Sequence, residues 1–298
     1  MISLPLLFSI FLGYSFFFRR LFKIEFSHAL IFSTSFILSI YFIASILYIL
    51  DPIIYASFAL GIGLFLYSLF DFLKQNNIKN ISDLFGVDVI IFITAMIIYF
   101  LCVKDYPSYY FWDEYSHWGL FLKEINIYHG FRLPENESAV AAQFNTYVKL
   151  VAIFQYSMSK ILGFKESFNI FANGFLCFIF CTVVFVEKRP FLSIVLCLML
   201  LLFPMLNNIV RFNSIYPDTT VGCIFGAVIA IYIQSKKYNN TLLSLILIAP
   251  SLFILPNIKE VGYWFSYVLI FMITVDLIIN KQYIFICNNN FIITTCYK

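Results

Sequence analysis

Apolar stretches about as long as a bilayer-crossing helix recur along most of the chain, and this recurrence restricts the fold more than any other feature. A helix needs about 20 apolar residues to cross the hydrocarbon core, and only helices or closed barrels satisfy every backbone polar group there. About nine such windows can be read, at residues 2–18, 27–50, 53–73, 87–103, 168–186, 190–210, 216–234, 241–256 and 262–280. Composition agrees. Of 298 residues, 62% are hydrophobic and 12% charged, against roughly 25% charged in a soluble domain, and mean hydropathy is +0.90. Too few charges remain to coat a globule, so the apolar excess faces lipid. A soluble enzyme, a secreted disulfide scaffold and a disordered chain are excluded. The net charge of +3 is small and scattered, giving no footprint for nucleic acid. The seven Cys lie mostly within apolar runs, where they read as small buried hydrophobes.

The expected fold is all-α: a polytopic helical membrane protein with about nine transmembrane helices and one long outer loop containing amphipathic helices. It divides into a four-span region at 1–103, an outer loop at 104–167 and a five-span region at 168–298, which together form one membrane domain. The first window has no basic leader or small-residue cleavage site, and Arg19 and Arg20 follow it, as expected of a retained span. Lys and Arg concentrate in cytoplasmic loops, and here every second connection is basic: Arg19, Arg20 and Lys23; Lys74 and Lys79; Lys188 and Arg189; Lys236 and Lys237; Lys281. The alternation places the N-terminus outside and the C-terminus on the cytoplasmic side. It requires that 148–162, with Lys149 and Lys160, form an interfacial or re-entrant helix rather than a crossing.

The long polar segment 104–147 is the natural seat of function. Within it, Trp112-Asp113-Glu114-Tyr115-Ser116-His117-Trp118 concentrates two of the three Trp and one of the three His. Aromatic faces beside carboxylates suit a sugar, the rings stacking on C–H surfaces while the carboxylates accept hydroxyl hydrogen bonds. Tyr106, Tyr109, Tyr110 and Phe111 fit an aromatic belt at the membrane interface equally well. A helix from Trp112 to Tyr128 would put Asp113 and His117 on one face, with Glu114 pointing elsewhere. Such a pair can serve as base and partner, hold a divalent cation such as Mg or Mn, or form a structural hydrogen bond at a helix start.

These residues, following a transmembrane helix and opening an amphipathic segment, resemble the first outer loop of bacterial GT-C glycosyltransferases. Those are polytopic enzymes similar to the polyprenyl-phosphate-sugar-dependent arabinosyl, mannosyl and lipid A sugar transferases. The run from Phe154 to Glu166, Tyr216-Pro217-Asp218 and Ile258-Lys259-Glu260 add to the likeness. The resemblance implies sugar transfer from a polyprenyl-phosphate donor to an envelope glycan, lipid or protein at the outer face. Asp113 or Glu114 would lie at the reaction centre, with Asp113 preferred. The substrate-contacting set would be His117, Trp112, Trp118, Arg211, Asp218, Lys259 and Glu260, with Lys104 and Arg132 as further cations. Asp218 also suits a helix N-cap. No nucleotide-binding glycine motif is present, which agrees with a lipid-linked donor.

The chain departs from such enzymes in three ways. Phe144-Asn145-Thr146-Tyr147 stands where relatives carry a Pro pair, four spans precede the acidic loop, and few residues follow the ninth span. A truncated, inactive homologue and a transporter or flippase of a lipid-linked or small hydrophilic solute are the alternative readings.

Overall fold

The computed structural model describes residues 3–74, 85–105, 109, 112–130, 149–185, 190–206, 214–238 and 240–280, and among them it holds helices and no strands. The expected all-α fold is observed. The helices are α1 (Ser3–Phe22), α2 (Phe26–Ile46), α3 (Leu50–Lys74), α4 (Val87–Val103), α5 (Gly119–Tyr128), α6 (Leu150–Leu162), α7 (Glu166–Cys181), α8 (Pro190–Leu206), α9 (Pro217–Ser235), α10 (Thr241–Ile254) and α11 (Val261–Ile279). Helix boundaries follow local chemistry. Pro217 opens α9, where its missing N–H costs nothing, and Arg19 and Arg20 sit in the last turn of α1, against the negative end of its dipole.

Among the described residues six helices are long and apolar enough to cross a membrane: α1, α2, α3, α7 and α9 with their 3-10 extensions, and α11. The windows expected at 87–103 and 241–256 fall on the shorter apolar helices α4 and α10, and the window at 190–210 falls on α8, of 17 residues. Burial orders the bundle. In α7 83% of the spanning window is buried, against 17% in α3 and 22% in α11, so α7 is central and the other two are peripheral. Around α7 the core is aromatic: Phe175 meets Phe11 of α1 at 5.2 Å and Phe92 of α4 at 5.9 Å between ring centroids.

Ion pairs and hydrogen bonds of charged side chains sort the connections into two groups, one at each end of the bundle. At one end Arg20 pairs with Asp71 at 2.7 Å, Lys236 with Asp276 at 2.8 Å, and Lys237 with Glu25. At the other, Lys160 of α6 meets Asp51 of α3 at 3.1 Å, Lys165 donates to the Lys104 carbonyl at 2.9 Å, and Glu166 accepts from the Tyr109 N–H at 2.8 Å. The basic connections within the described residues belong to the first group, matching the alternation in the sequence.

Helix α6 differs from the interfacial form considered above. Leu150 to Ser159 is buried without interruption, and Phe154 packs on Phe11 at 6.2 Å. Its Lys149 lies over Phe121 of α5, and its other end reaches Asp51, so both ends meet elements of the same end of the bundle. The helix is thus enclosed by the bundle rather than laid on its outer surface.

Helices α1 and α3 cross at two glycines. A Cβ on Gly13 would stand 2.0 Å from the Gly61 carbonyl oxygen. Small residues allow this backbone approach, which is a principal source of helix association in lipid. Gly13→Val should therefore lower the melting temperature in detergent, at a cost of about 1–3 kcal/mol for overpacking. Gly63→Ala, with nothing within 4 Å of the new methyl, should not; equal melting of the two variants would rule out the close crossing.

Candidate functional site

The candidate site is built from Tyr109 upward. Its ring is buried, its N–H donates to Glu166, and its hydroxyl accepts from Asn169 Nδ2 at 3.0 Å, both partners being on α7. Tyr115 donates to the Tyr109 carbonyl. Gly119 presses on the same ring, where a Cβ would meet Tyr109 Cε2 at 2.7 Å and the Glu114 carbonyl oxygen at 2.5 Å. Tyr109 is thus an anchor fixing this segment to the central helix, neither a ligand contact nor a lipid-facing belt residue. Tyr106, Tyr110 and Phe111 lie outside the described residues.

Between Tyr109 and α5 the chain forms a π-helical turn, Glu114–Trp118, in which the Gly119 N–H reaches back to the Glu114 carbonyl. Such wide turns favour functional sites. The turn separates the two adjacent carboxylates. Asp113 lines a cavity of about 260 Å³, together with Trp112, Ser116, His117 and Trp118 from the same turn, Tyr216 and Asp218 from the start of α9, and Lys259 before α11. Glu114 points inward instead. It is 1% exposed, and its Oε1 accepts from the Ile215 N–H at 3.1 Å. Its observed role is to hold the segment leading into α9.

That segment is also held from α7. Asn173, fully buried, donates from Nδ2 to the carbonyls of Ser214 at 2.7 Å and Tyr216 at 3.3 Å, and its Oδ1 accepts from Thr220 Oγ1 at 3.0 Å. Ser214 Oγ accepts from the Tyr216 N–H at 3.1 Å. So fixed, Tyr216 places its hydroxyl on the Asp113 carboxylate. Burial first, and then this hydrogen bond, push the Tyr216 pKa up to about 12. Tyr216 and Asn173 were not among the sequence-derived site residues. Tyr216-Pro217-Asp218 was visible as a string, but nothing local marked its hydroxyl as the partner of Asp113.

His117 packs on Trp118, with ring centroids 4.7 Å apart, and its Nδ1 lies 2.8 Å from Ser116 Oγ. Burial lowers its pKa below the usual imidazole value; Asp113 opposes that shift and Lys259 reinforces it. Lys259 Nζ pairs with Asp218 Oδ1 at 2.6 Å. Trp112, at 81% exposed, stands at the rim and Trp118 is buried in the wall. Among the other candidates, Glu260 is exposed at the N-terminus of α11 and does not line the cavity. Lys104 pairs with Asp105 at 3.6 Å, and Arg211 and Arg132 lie outside the described residues.

Asp113, Asp218 and His117 share this cavity, yet among the described residues no three His, Cys, Asp or Glu side chains are placed to hold one metal ion. The divalent cation weighed for Asp113 and His117 thus finds no ready-made site there. What the arrangement offers is a carboxylate held by a phenol, a neutral imidazole, an ammonium and two indoles around one small cavity.

Two outcomes are expected. With three His in the chain, the His117 titration can be followed by NMR: Asp113→Asn should lower its pKa and Lys259→Ala should raise it. Because folding depresses this pKa, its stabilising contribution is full above about 6.5, the ordinary imidazole value, and fades as pH falls through the depressed one. Identical titrations in both variants would remove these charges from its surroundings. Second, Asn173→Leu strips partners from the buried Ser214 carbonyl and the half-buried Tyr216 carbonyl, at about 1–3 kcal/mol for a buried orphaned group. Its melting temperature should fall well below that of the parent chain; an unchanged value would show that the segment is held by other contacts.

The chain matches no protein-family model, no curated protein and no solved structure.

Proposed function

We propose that this protein is a multi-pass membrane glycosyltransferase of the GT-C kind, which moves one sugar from a polyprenyl-phosphate donor to an envelope glycan, lipid or protein acceptor. The observation that carries this reading is the cavity where Asp113, Tyr216, His117 and Lys259 meet between Trp112 and Trp118. Its volume, about 260 Å³, lies near the lower limit of small-molecule sites, in keeping with one sugar unit whose lipid tail stays in the bilayer. We read nine crossings, with α6 re-entrant and the basic end cytoplasmic by the positive-inside rule, so that the cavity opens at the outer face of the cytoplasmic membrane.

In the proposed reaction an acceptor hydroxyl oxygen attacks the anomeric carbon, and its proton passes to the Asp113 carboxylate. The bond from that carbon to the phosphate oxygen breaks, and the lipid phosphate leaves with the electron pair. Asp113 is suited to act as base because the Tyr216 hydroxyl orients it without donating a proton at neutral pH. Lys259 supplies positive charge to the departing phosphate. The neutral imidazole of His117 accepts or donates a hydrogen bond to a sugar hydroxyl, and Trp112 and Trp118 offer faces for its C–H surfaces.

A transporter reading draws on buried, 13-residue α6 and on Pro250 inside α10, the kind of broken helix that lines a transport path. One assay separates the two: full-length protein in membranes, supplied with radiolabelled polyprenyl-phosphate sugars. Transfer of label to lipid or glycan is expected, with a loss of at least about 100-fold in Asp113→Asn, the scale of general-base catalysis, at unchanged membrane abundance. Full transfer by the variant would remove Asp113 from the mechanism, and absence of transfer from every donor would favour a transporter or an inactive homologue.

A further inference from the structure

We propose that Asp218 is the resident occupant of an anion subsite: its carboxylate holds the Lys259 ammonium until a phosphate oxygen displaces it. The inference rests on the phosphate-binding reading of Lys259 given above, and adds how that binding is controlled.

Charge poses the problem. Two carboxylates, Asp113 and Asp218, face one ammonium, Lys259, so the described lining carries one net negative formal charge. A phosphate added to that cavity would be repelled unless one carboxylate withdrew. The two differ in their freedom to do so. Asp113 is tied to the Tyr216 hydroxyl and backed by the π-helical turn. The Asp218 side chain is 56% exposed and its described partner is Lys259, whose own side chain is only 28% exposed. An exposed ion pair is a weak contact, because water replaces it readily. Once released, Asp218 turns into solvent while remaining in the first turn of α9, whose positive end favours a carboxylate. Lys259 stays behind, more enclosed, facing the cavity. The anion therefore enters by exchange, one negative group for another, and an empty site does not leave an unpaired ammonium in a partly desolvated wall. A neutral ligand gains nothing from the exchange, so Asp218 also selects for anions strong enough to compete with a carboxylate.

The test is a titration of the full-length protein, in nanodiscs of zwitterionic phosphatidylcholine, with inorganic phosphate, read by calorimetry and tryptophan fluorescence. Asp218→Asn removes the competitor while keeping the side chain's shape, and should tighten phosphate binding about tenfold, the scale of one screened charge. Lys259→Ala should abolish binding, and the double variant should bind no better than Lys259→Ala alone. Unchanged or weaker binding in Asp218→Asn would overturn the proposal, as would absence of phosphate binding in every variant. Repeating the titration with phosphatidate in the nanodisc identifies the source of the anion. Competition marks a lipid headgroup and its absence a soluble phosphate, and the exchange stands in both cases. Tighter binding in Asp218→Asn without sugar transfer by the parent protein would retain the anion subsite and remove the transferase. Transfer that depends on Asp113, together with weakened phosphate binding in Asp218→Asn, would do the reverse.

Discussion

Buried backbone must find hydrogen-bond partners, and within a membrane bundle it must find them in the protein. Ser214 and Ile215 are buried but not helical, so their segment cannot satisfy itself through a helical ladder. Its partners are side chains: Asn173 takes the Ser214 and Tyr216 carbonyls, Glu114 takes the Ile215 N–H, and Ser214 Oγ takes the Tyr216 N–H. Pro217 marks the first turn of α9, and these bonds fix where that turn sits against α7. Because α9 carries Tyr216 and Asp218, the same bonds set the geometry of the cavity wall opposite the π-helical turn.

This arrangement divides two adjacent acidic residues between two tasks. Glu114, turned inward and hydrogen-bonded to backbone, works as structure, while Asp113, one residue earlier, faces open space and a phenol. Anchoring by Tyr109 and the glycine at 119 brings the π-helical turn close enough to α7 for both to happen. The site is thus suspended from the most buried helix of the bundle, and the peripheral helices α3 and α11 are free to face lipid. Preorganisation of this kind is what electrostatic catalysis requires, since groups fixed before the reaction need no reordering during it.

Much of this was legible in the sequence, for identifiable reasons. The apolar windows mark helices because a bilayer permits little else, and the alternating basic connections reappear as the cluster of Arg20, Lys236 and Lys237 at one end. Asp113 and His117 were expected to share a face from their spacing, and they line one cavity. Lys259 and Asp218 were singled out separately, but their pairing across 41 positions was not visible. Asn173 sat unremarked in an apolar run, although a polar amide at membrane depth is costly unless partnered and so carries a signal of its own. For α6 the sequence left an interfacial and a re-entrant form open, because 13 apolar residues read alike whether they lie at an interface or inside a bundle.

The sequence by itself determined that the chain is helical and belongs in a membrane, how its basic connections alternate, and which polar segment supplies residues to the candidate cavity. Those properties follow from local composition and period, which do not depend on which helices become neighbours. Only the tertiary structure decided that Glu114 supports the site and Asp113 lines it, that Tyr216 meets Asp113, and that Lys259 is held by Asp218. Each of these is a contact between residues distant in the chain or depends on a turn that packing holds in place. A hydrogen bond of this kind depends on ångström placement of two helices against a third, which no pattern along one strand of sequence encodes.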